Sequence, residues 1–217
     1  MNKKIRIALD GPSGAGKSTI AKKIAHDLDI DYIDTGAMYR AIGYKLKVLN
    51  NVNLEDAEEL QAVLDSTEID FHKGNTLLDG NVINDEIRTP EATKMASLCS
   101  AIPAVREKLV VLQRKMGQEK SVVMDGRDIG TNVLKDAEYK FFMTASAEER
   151  AERRYKEMLE KGMETTYDEV LNDIIQRDHN DTTRELNPLR KAEDALEVDT
   201  TGMSIEEVVE SIVSRIK

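Results

Sequence analysis

The chain has 217 residues, a formal net charge of −10 and one cysteine, Cys99. This length suits one substantial α/β core with an inserted subdomain and is short for two independent domains. The negative charge argues against nucleic acid as the main partner, because phosphate backbones are bound by clustered Lys and Arg. A single cysteine excludes an internal disulfide. The first residues include no long apolar stretch that would indicate a signal peptide or a membrane span. We therefore expect a cytoplasmic protein.

The first predicted elements are a strand, Ile5 to Leu9, and a helix, Lys17 to Leu28, joined by a glycine-rich loop. Together they carry the pattern G-x-x-x-x-G-K-[ST], in which backbone N–H groups surround an anion, Lys17 adds a positive charge and the Ser18 hydroxyl is placed to bind Mg²⁺. We therefore predict a site for a nucleoside triphosphate. It consists of Gly11, Pro12, Ser13, Gly14, Ala15, Gly16, Lys17, Ser18 and Thr19.

Short apolar runs alternate with amphipathic stretches along the rest of the chain, which predicts parallel strands joined by crossover helices. The further predicted strands are Tyr32 to Ile33, Val122 to Met124, Tyr139 to Met143 and Leu196 to Val198. The further predicted helices are Ala37 to Leu49, Leu54 to Leu64, Pro103 to Met116, Ala147 to Lys161, Tyr167 to Asn180 and Ile205 to Ile216. Ser146 and Ser204 each precede a glutamate at capping-box spacing. The pattern indicates an α/β fold of the P-loop NTPase type, with a parallel sheet flanked by helices.

One segment departs from this alternation. Between Glu68 and Ile83, short apolar runs are separated by Gly74-Asn75 and Asp79-Gly80, dipeptides that supply the positive φ of tight hairpin turns. We predict a small antiparallel β insert here. Such an insert either decorates the surface or shapes a substrate site at the carboxyl ends of the core strands.

Arginines mark the place of a second substrate. Arg40 ends the segment Asp34 to Arg40 after the second core strand, and Arg127 lies in Asp125-Gly126-Arg127-Asp128 after the third. A guanidinium can bind two phosphate oxygens at once, which an ammonium cannot; the alternative for each is a solvated surface charge. Further arginines follow, and they belong either to a lid that surrounds the transferred phosphoryl group or to solvated helix faces: Arg150, Arg153, Arg154, Arg177 and Arg184.

These motifs resemble those of the bacterial cytidylate kinases, a family of nucleoside monophosphate kinases. The segments that carry the resemblance are DGPSGAGKST, DTGAMYR, EIRT (86–89), DGRDIG (125–130), ASAEERAERR (145–154) and IQRDHNDTTR (175–184). The resemblance implies transfer of the γ-phosphoryl group of ATP to CMP or dCMP in pyrimidine nucleotide metabolism, with Mg²⁺. It also implies one P-loop kinase unit over residues 1–217. Within it the core takes about 1–35, 84–145 and 190–217, the monophosphate-binding region with its insert about 36–100, and the helical lid about 146–184.

The resemblance further implies roles for individual residues. The CMP-binding set is Thr35, Arg40, Ser97, Arg106, Arg127, Asp128, Arg177 and Asp181. Within it Arg40 and Arg127 bind the phosphate, Arg177 and Asp181 bind the sugar, and Asp128, Ser97 and Arg106 bind the base. Ser100 is an alternative to Ser97, since it lies three residues further on. The catalytic set is Lys17, Arg127, Arg150, Arg154 and Arg184, and Ser18 binds Mg²⁺, with Asp125 acting through water.

The implied base contacts agree with the chemistry of cytosine. Its N4 amino group donates and its N3 and O2 accept, so its pocket needs an acceptor such as Asp128 and a donor such as Arg106. Uracil has an acceptor, O4, in place of the amino group and a donor, N3–H, in place of the N3 acceptor. A carboxylate that faces position 4 therefore repels uracil.

Two alternatives remain open at this point: a P-loop kinase of another small metabolite, and a nucleotide-gated binding module without turnover. For the kinase we expect a monomer that binds ATP and CMP or dCMP.

Overall fold

The strands of the computed structural model, which describes residues 4–72 and 74–216, form two sheets. The five-stranded sheet contains β1 Arg6–Asp10, β2 Asp31–Asp34, β6 Val122–Gly126, β7 Tyr139–Thr144 and β8 Leu196–Asp199, in the order β2-β6-β1-β7-β8. The three-stranded sheet contains β3 Ile69–His72, β4 Asn75–Leu78 and β5 Asn81–Val82, in that order.

Eight α-helices lie in the described part of the chain. They are α1 Lys17–Leu28, α2 Thr35–Tyr44, α3 Ala57–Asp65, α4 Pro90–Cys99, α5 Pro103–Glu119, α6 Ala147–Glu160, α7 Tyr167–Thr183 and α8 Ile205–Val213. Two π-helical turns, Lys45–Leu49 and Ile129–Val133, and a 3₁₀ turn, Glu86–Arg88, complete the helical structure. Within the same residues, no helix combines the length and the apolar composition that crossing a bilayer requires.

The chain divides into two compact units. The first consists of the described residues of Met1–Tyr32 and Glu119–Lys217, and the second is Ile33–Gln118. In the first unit β1 pairs in parallel with both β6 and β7, with Asp10 opposite Gly126 and Phe142. All five residues of β6 are buried, as expected for a parallel strand covered on both faces.

One face of the large sheet packs against α1 and α8. The apolar side chains of this core include Ile20 and Ile24 of α1 and Val209 and Ile212 of α8, in contact with sheet residues such as Phe141. The core therefore holds α1, whose first turn contains Lys17 and Ser18, in a fixed position on the sheet.

The second unit contains the small sheet. β4 pairs antiparallel with β3 and with β5, and Asp79 and Gly80 between β4 and β5 both have positive φ. Lys45 fixes this turn, because its Nζ lies 2.6 Å from Asp79 Oδ2 and donates to the Ser66 carbonyl. The predicted antiparallel insert and the predicted parallel sheet flanked by helices are confirmed.

Helix boundaries follow local capping. Helix α1 has the predicted bounds. The helix predicted from Leu54 begins at Ala57, because the Asp56 side chain accepts hydrogen bonds from Glu58 N and Glu59 N. The predicted helix Ala37 to Leu49 begins at Thr35, with Asp34 as its cap, and ends in π-helical turns. Helix α4 was not predicted, although Thr89 and Pro90 are ordinary signals of a helix start.

Only one of the two predicted capping boxes forms completely. The one at Ser204 forms fully, and Thr166 with Glu169 forms another that the sequence analysis missed. At Ser146 only half of the motif forms, because the Glu149 side chain instead accepts from Gly202 N and Arg153.

Gly11 is required by close packing at the end of β1. Its φ is +148°, and a Cβ added there would lie 2.3 Å from the Met143 carbonyl oxygen of β7. We expect Gly11→Ala to lower the free energy of unfolding by about 3 kcal/mol or more, through backbone strain and steric overlap together. Chemical denaturation measures the change.

Gly162→Ala is the matched control, because Gly162 has a φ of +70° with no atom near its added Cβ. We expect a cost of only about 1–2 kcal/mol there, from backbone strain alone. Equal costs at the two positions would show that the Met143 carbonyl does not exclude a side chain from Gly11.

Candidate functional site

The loop between β1 and α1 has the backbone of an anion-binding cradle. Gly11, Gly14 and Gly16 all have positive φ, and Gly16 is the N-cap of α1 without a side chain that could cap the helix. The N–H groups of the first helical turn therefore receive no hydrogen bond from a capping side chain and suit a phosphate group.

Lys17 supplies a buried cation to this cradle. Its side chain is 5% exposed and its Nζ donates to the Pro12 carbonyl at 2.7 Å. Burial, and after it the neighbouring charge of Arg127, lowers the pKa of Lys17 to about 7. An anion placed beside Lys17 would stabilise its charged form.

Ser18 and Asp125 form a pair of oxygen ligands beside the cradle. The Ser18 hydroxyl donates to Asp125 Oδ2 at 2.8 Å, and the Tyr32 hydroxyl donates to Asp125 Oδ1 at 2.9 Å. Hydroxyl and carboxylate oxygens suit Mg²⁺, which keeps several waters and takes few protein ligands. Residues 4–72 and 74–216 contain no group of three or more His, Cys, Asp or Glu side chains that could hold a metal ion. The oxygens of Ser18 and Asp125 are of the type that fits Mg²⁺.

Four charged side chains of the first unit form a cluster beyond β6. Arg127 Nε donates to Asp181 Oδ2 at 2.7 Å, and Arg184 Nη2 donates to Asp128 Oδ1 at 3.2 Å. Arg184 Nη1 also lies 3.6 Å from Asp181 Oδ1. Burial raises the pKa of Asp181, but the charge and the hydrogen bond of Arg127, together with the charges of Arg184 and Arg177, outweigh burial and hold this pKa below its ordinary value. The structure therefore brings together residues that the sequence separates by more than 50 positions.

Two further predicted arginines lie in the same unit. Arg177 is half-buried on α7, and its charge contributes to the lowered pKa of Asp181. Arg154 is half-buried on α6.

Arg150 is bonded to protein groups at each of its nitrogens. Nε donates to the carbonyls of Ala145 and Ser146, Nη1 donates to the Ser13 carbonyl at 2.8 Å, and Nη2 donates to Asp178 Oδ2 at 2.6 Å. In this conformation its guanidinium connects the cradle with α6 and α7.

Asp10 is a residue of this site that sequence analysis missed. Its Oδ1 accepts from Ile129 N at 2.8 Å and its Oδ2 from Gly130 N at 2.7 Å. Asp10 thus fixes the π-helical turn that directly follows Arg127 and Asp128. Its place immediately before Gly11 is the only local signal, since the contact depends on the parallel pairing of β1 with β6.

The second unit holds the other predicted acceptor-site residues. Asp34 accepts from Ala37 N with Oδ1 and binds Arg40 Nη2 with Oδ2 at 3.1 Å, at the start of α2 where Thr35 is buried. Arg106 is 3% exposed, and its guanidinium carbon lies 5.8 Å from the centre of the Tyr39 ring.

The two serines weighed for base recognition have different surroundings. Ser97 is half-buried on α4. The Ser100 hydroxyl donates to the Ser97 carbonyl at 2.8 Å, and the Ser100 carbonyl accepts from Arg106 Nη1 at 3.2 Å. Ser100 is thereby engaged within its own unit.

We expect Asp10→Asn to lower the free energy of unfolding by about 1–3 kcal/mol at about pH 5, because an amide nitrogen cannot accept from the buried Gly130 N–H. The control is Asp31→Asn, whose carboxylate lies in an exposed pair with Lys120; we expect a change of less than about 0.5 kcal/mol there. Chemical denaturation gives both values.

The effect of Asp10→Asn should depend on pH. Burial raises the pKa of Asp10 from 3.8 to about 6, so between these values the folded state retains a proton that the unfolded state has released. The wild-type free energy of unfolding, relative to that of the variant, should therefore fall as the pH rises through this window. A difference that rises with pH would mean that the folded state favours the Asp10 anion.

Comparison with known proteins agrees with this geometry. The family model described as cytidylate kinase matches residues 7–217. The chain is 54% identical over 215 residues to the cytidylate kinase of Clostridium perfringens (strain SM101 / Type A). The aligned region covers 99% of this chain and 98% of that protein. The chain is 53% identical over 210 residues to the cytidylate kinase of Clostridioides difficile (strain 630), which covers 97% of each.

Among solved structures, an uncharacterized protein from Eubacterium ventriosum shares the fold, with a TM-score of 0.53 and 16% identity over 99% of this chain and 98% of that one. The sequence matches decide the family: the chain belongs to the cytidylate kinases, enzymes of the nucleoside monophosphate kinase type.

Proposed function

We propose that this enzyme transfers the γ-phosphoryl group of ATP to CMP or dCMP, giving ADP and CDP or dCDP in pyrimidine nucleotide metabolism. The observation that carries the proposal is the cluster of Arg127, Asp181, Arg184 and Asp128 in the same unit as the cradle. Two arginines held by carboxylates suit an anionic ligand, since phosphate oxygens can take over the hydrogen bonds that the carboxylates accept. Because the chain belongs to the cytidylate kinases, we infer that this ligand is a cytidine monophosphate.

The donor occupies the cradle in this proposal. Residues Gly11 to Thr19 bind the ATP phosphates through backbone N–H groups, and Lys17 contacts the phosphate that is transferred. Ser18, with Asp125 acting through water, holds Mg²⁺. When Mg²⁺ is bound, it neutralises negative charge on the phosphate oxygens.

The acceptor phosphate is bound by Arg127 and Arg40. Each is held by one carboxylate, Asp181 and Asp34 respectively, so each is oriented before the ligand arrives. Arg184 and Arg154 stabilise the charge that develops on the transferring phosphoryl group. No general base is needed, because the second pKa of a phosphate monoester is roughly 6 and the attacking oxygen is already ionised at neutral pH.

In this proposal the nucleoside is recognised by the residues that the family resemblance implies. Asp128 and the Ser97 hydroxyl accept from the cytosine amino group, and Arg106 donates to N3 and O2. Ser100 stays an alternative to Ser97, because its hydroxyl donates to the Ser97 carbonyl and keeps lone pairs that can accept from the amino group. Arg177 and Asp181 bind the sugar, and Thr35 completes the CMP-binding set. We assign residues 36–100 to the monophosphate-binding region and 146–184 to the lid.

A coupled assay of ADP release with CMP, dCMP, UMP and AMP tests the proposal. We expect kcat/KM for CMP or dCMP to exceed that for UMP and AMP at least ~10-fold, and Lys17→Met to abolish turnover. Equal or faster turnover of UMP or AMP would contradict the base assignment. ATP binding without transfer to any monophosphate would favour a nucleotide-gated module, and turnover of a non-nucleotide alcohol would favour a metabolite kinase.

Asp128→Asn tests the base contact directly. An amide can donate to uracil O4, so we expect the ratio of kcat/KM for CMP to that for UMP to fall at least ~10-fold. Asp136→Asn serves as the control, because Asp136 is an exposed carboxylate of the same unit. An unaltered ratio in the Asp128 variant would remove Asp128 from base recognition.

A further inference from the structure

Arg150 joins three segments of the first unit that are distant in sequence. Its side chain is 5% exposed, and it donates to the cradle at Ser13, to the carbonyls that begin α6, and to Asp178 of α7. A buried arginine with an acceptor at every nitrogen occupies one defined position, because losing any of these bonds leaves a buried polar group without a partner.

The cradle also packs closely against both helices. A Cβ added at Gly14 would lie 3.2 Å from Arg150 Cβ and 3.7 Å from Ile174 Cδ1. Helices α6 and α7 share an apolar core of Ala151, Val170 and Ile174, and the rings of Tyr155 and Tyr167 meet edge to face at 6.3 Å. A shift of the cradle at Ser13 and Gly14 is therefore opposed by both helices together.

Helix α7 continues from Asp178 into the charged cluster. Asp181 lies three residues beyond Asp178 on the same helix and accepts from Arg127, and Arg184 follows at the helix end and donates to Asp128. A continuous set of bonds thus runs from the Ser13 carbonyl through Arg150 and Asp178, along one helical turn, to the residues assigned to the acceptor.

We propose that Arg150 and Asp178 are positioning residues that couple occupancy of the triphosphate cradle to binding of the cytidine monophosphate at α7, an inference that rests on the proposed function. A polyphosphate in the cradle fixes the Ser13 carbonyl. Through Arg150, this carbonyl stabilises the position of α7 in which Asp181 and Arg184 meet the acceptor. The coupling is reciprocal, because each ligand must change the affinity of the other by the same factor.

This role differs from the direct contact with the transferred phosphoryl group that the resemblance implies for Arg150. A direct contact would be made by the guanidinium itself, whereas a positioning role is exerted through Ser13 and Asp178. The two roles differ in what happens to CMP binding when no reaction takes place, so equilibrium binding separates them.

The experiment is calorimetric titration of CMP into the full chain, with and without a saturating non-hydrolysable ATP analogue and Mg²⁺. The test variant is Arg150→Met with Asp178→Asn, which removes both charges so that neither remains buried alone. The control is Lys156→Met with Asp173→Asn, which likewise replaces a cation by Met and an aspartate by Asn, at exposed positions of the same two helices.

We expect the analogue to tighten CMP binding at least ~5-fold in the wild type and in the control, and less than ~2-fold in the test variant. CMP should tighten binding of the analogue by the same factor in each protein, so this effect should also be nearly lost in the test variant. A wild-type coupling factor in the test variant, or no coupling in the wild type, overturns the inference.

Two measurements keep these outcomes distinct. Thermal unfolding shows whether the double variant folds. If it does not, Asp178→Asn alone, which keeps the size of the side chain and removes its charge, must reduce the coupling factor at least ~2-fold, and an unchanged factor overturns the inference. Wild-type protein that turns over CMP but shows no coupling overturns the inference and leaves the proposed function intact, whereas protein that neither binds nor phosphorylates CMP overturns both.

Discussion

Positive charge is buried at the carboxyl ends of the central strands, and the rest of the site depends on how it is held. Lys17 and Arg150 are almost fully inaccessible, and Arg127 and Arg184 are largely so. Removing a cation from water is costly unless acceptors replace the lost hydration. Here the acceptors are the carbonyls of the cradle and carboxylates on α7 and after β6. Oxygens of a phosphate ester can replace the carboxylates, so this compensation also prepares the site for substrates.

Acidic residues of the site have separate tasks that follow from their surroundings. Asp10 is buried and accepts from the backbone N–H groups of Ile129 and Gly130, so it fixes a loop. Asp125 receives two hydroxyl groups beside the cradle and suits a metal ion. Asp128 and Asp181 accept from arginines and suit a substrate that offers hydrogen-bond donors beside an anionic group. Position in the fold, rather than residue type, distinguishes these carboxylates.

Helices α6 and α7 connect the cradle with the charged cluster of the first unit. Arg150 of α6 and Ile174 of α7 lie close to the cradle at Gly14, whereas the end of α7 reaches the charged cluster. Such an arrangement allows one ligand to influence the other through defined bonds, which is a physical basis for coupling rather than mere proximity. Within the second unit, Arg40 is oriented by Asp34, the residue that caps α2.

The amino-acid sequence by itself determined the phosphate cradle, the parallel α/β fold, the bounds of α1 and the antiparallel insert, because each depends on short-range patterns of glycine, apolar residues and caps. It missed α4, whose apolar pattern is weak although Thr89 and Pro90 mark its start. Only the tertiary structure decided that Asp10 holds the turn at Ile129 and that Arg150 joins Ser13 to Asp178. Those contacts span 119, 137 and 28 positions of the chain. They exist because parallel pairing and helix packing bring distant carboxylates, carbonyls and N–H groups into contact, which no local pattern encodes.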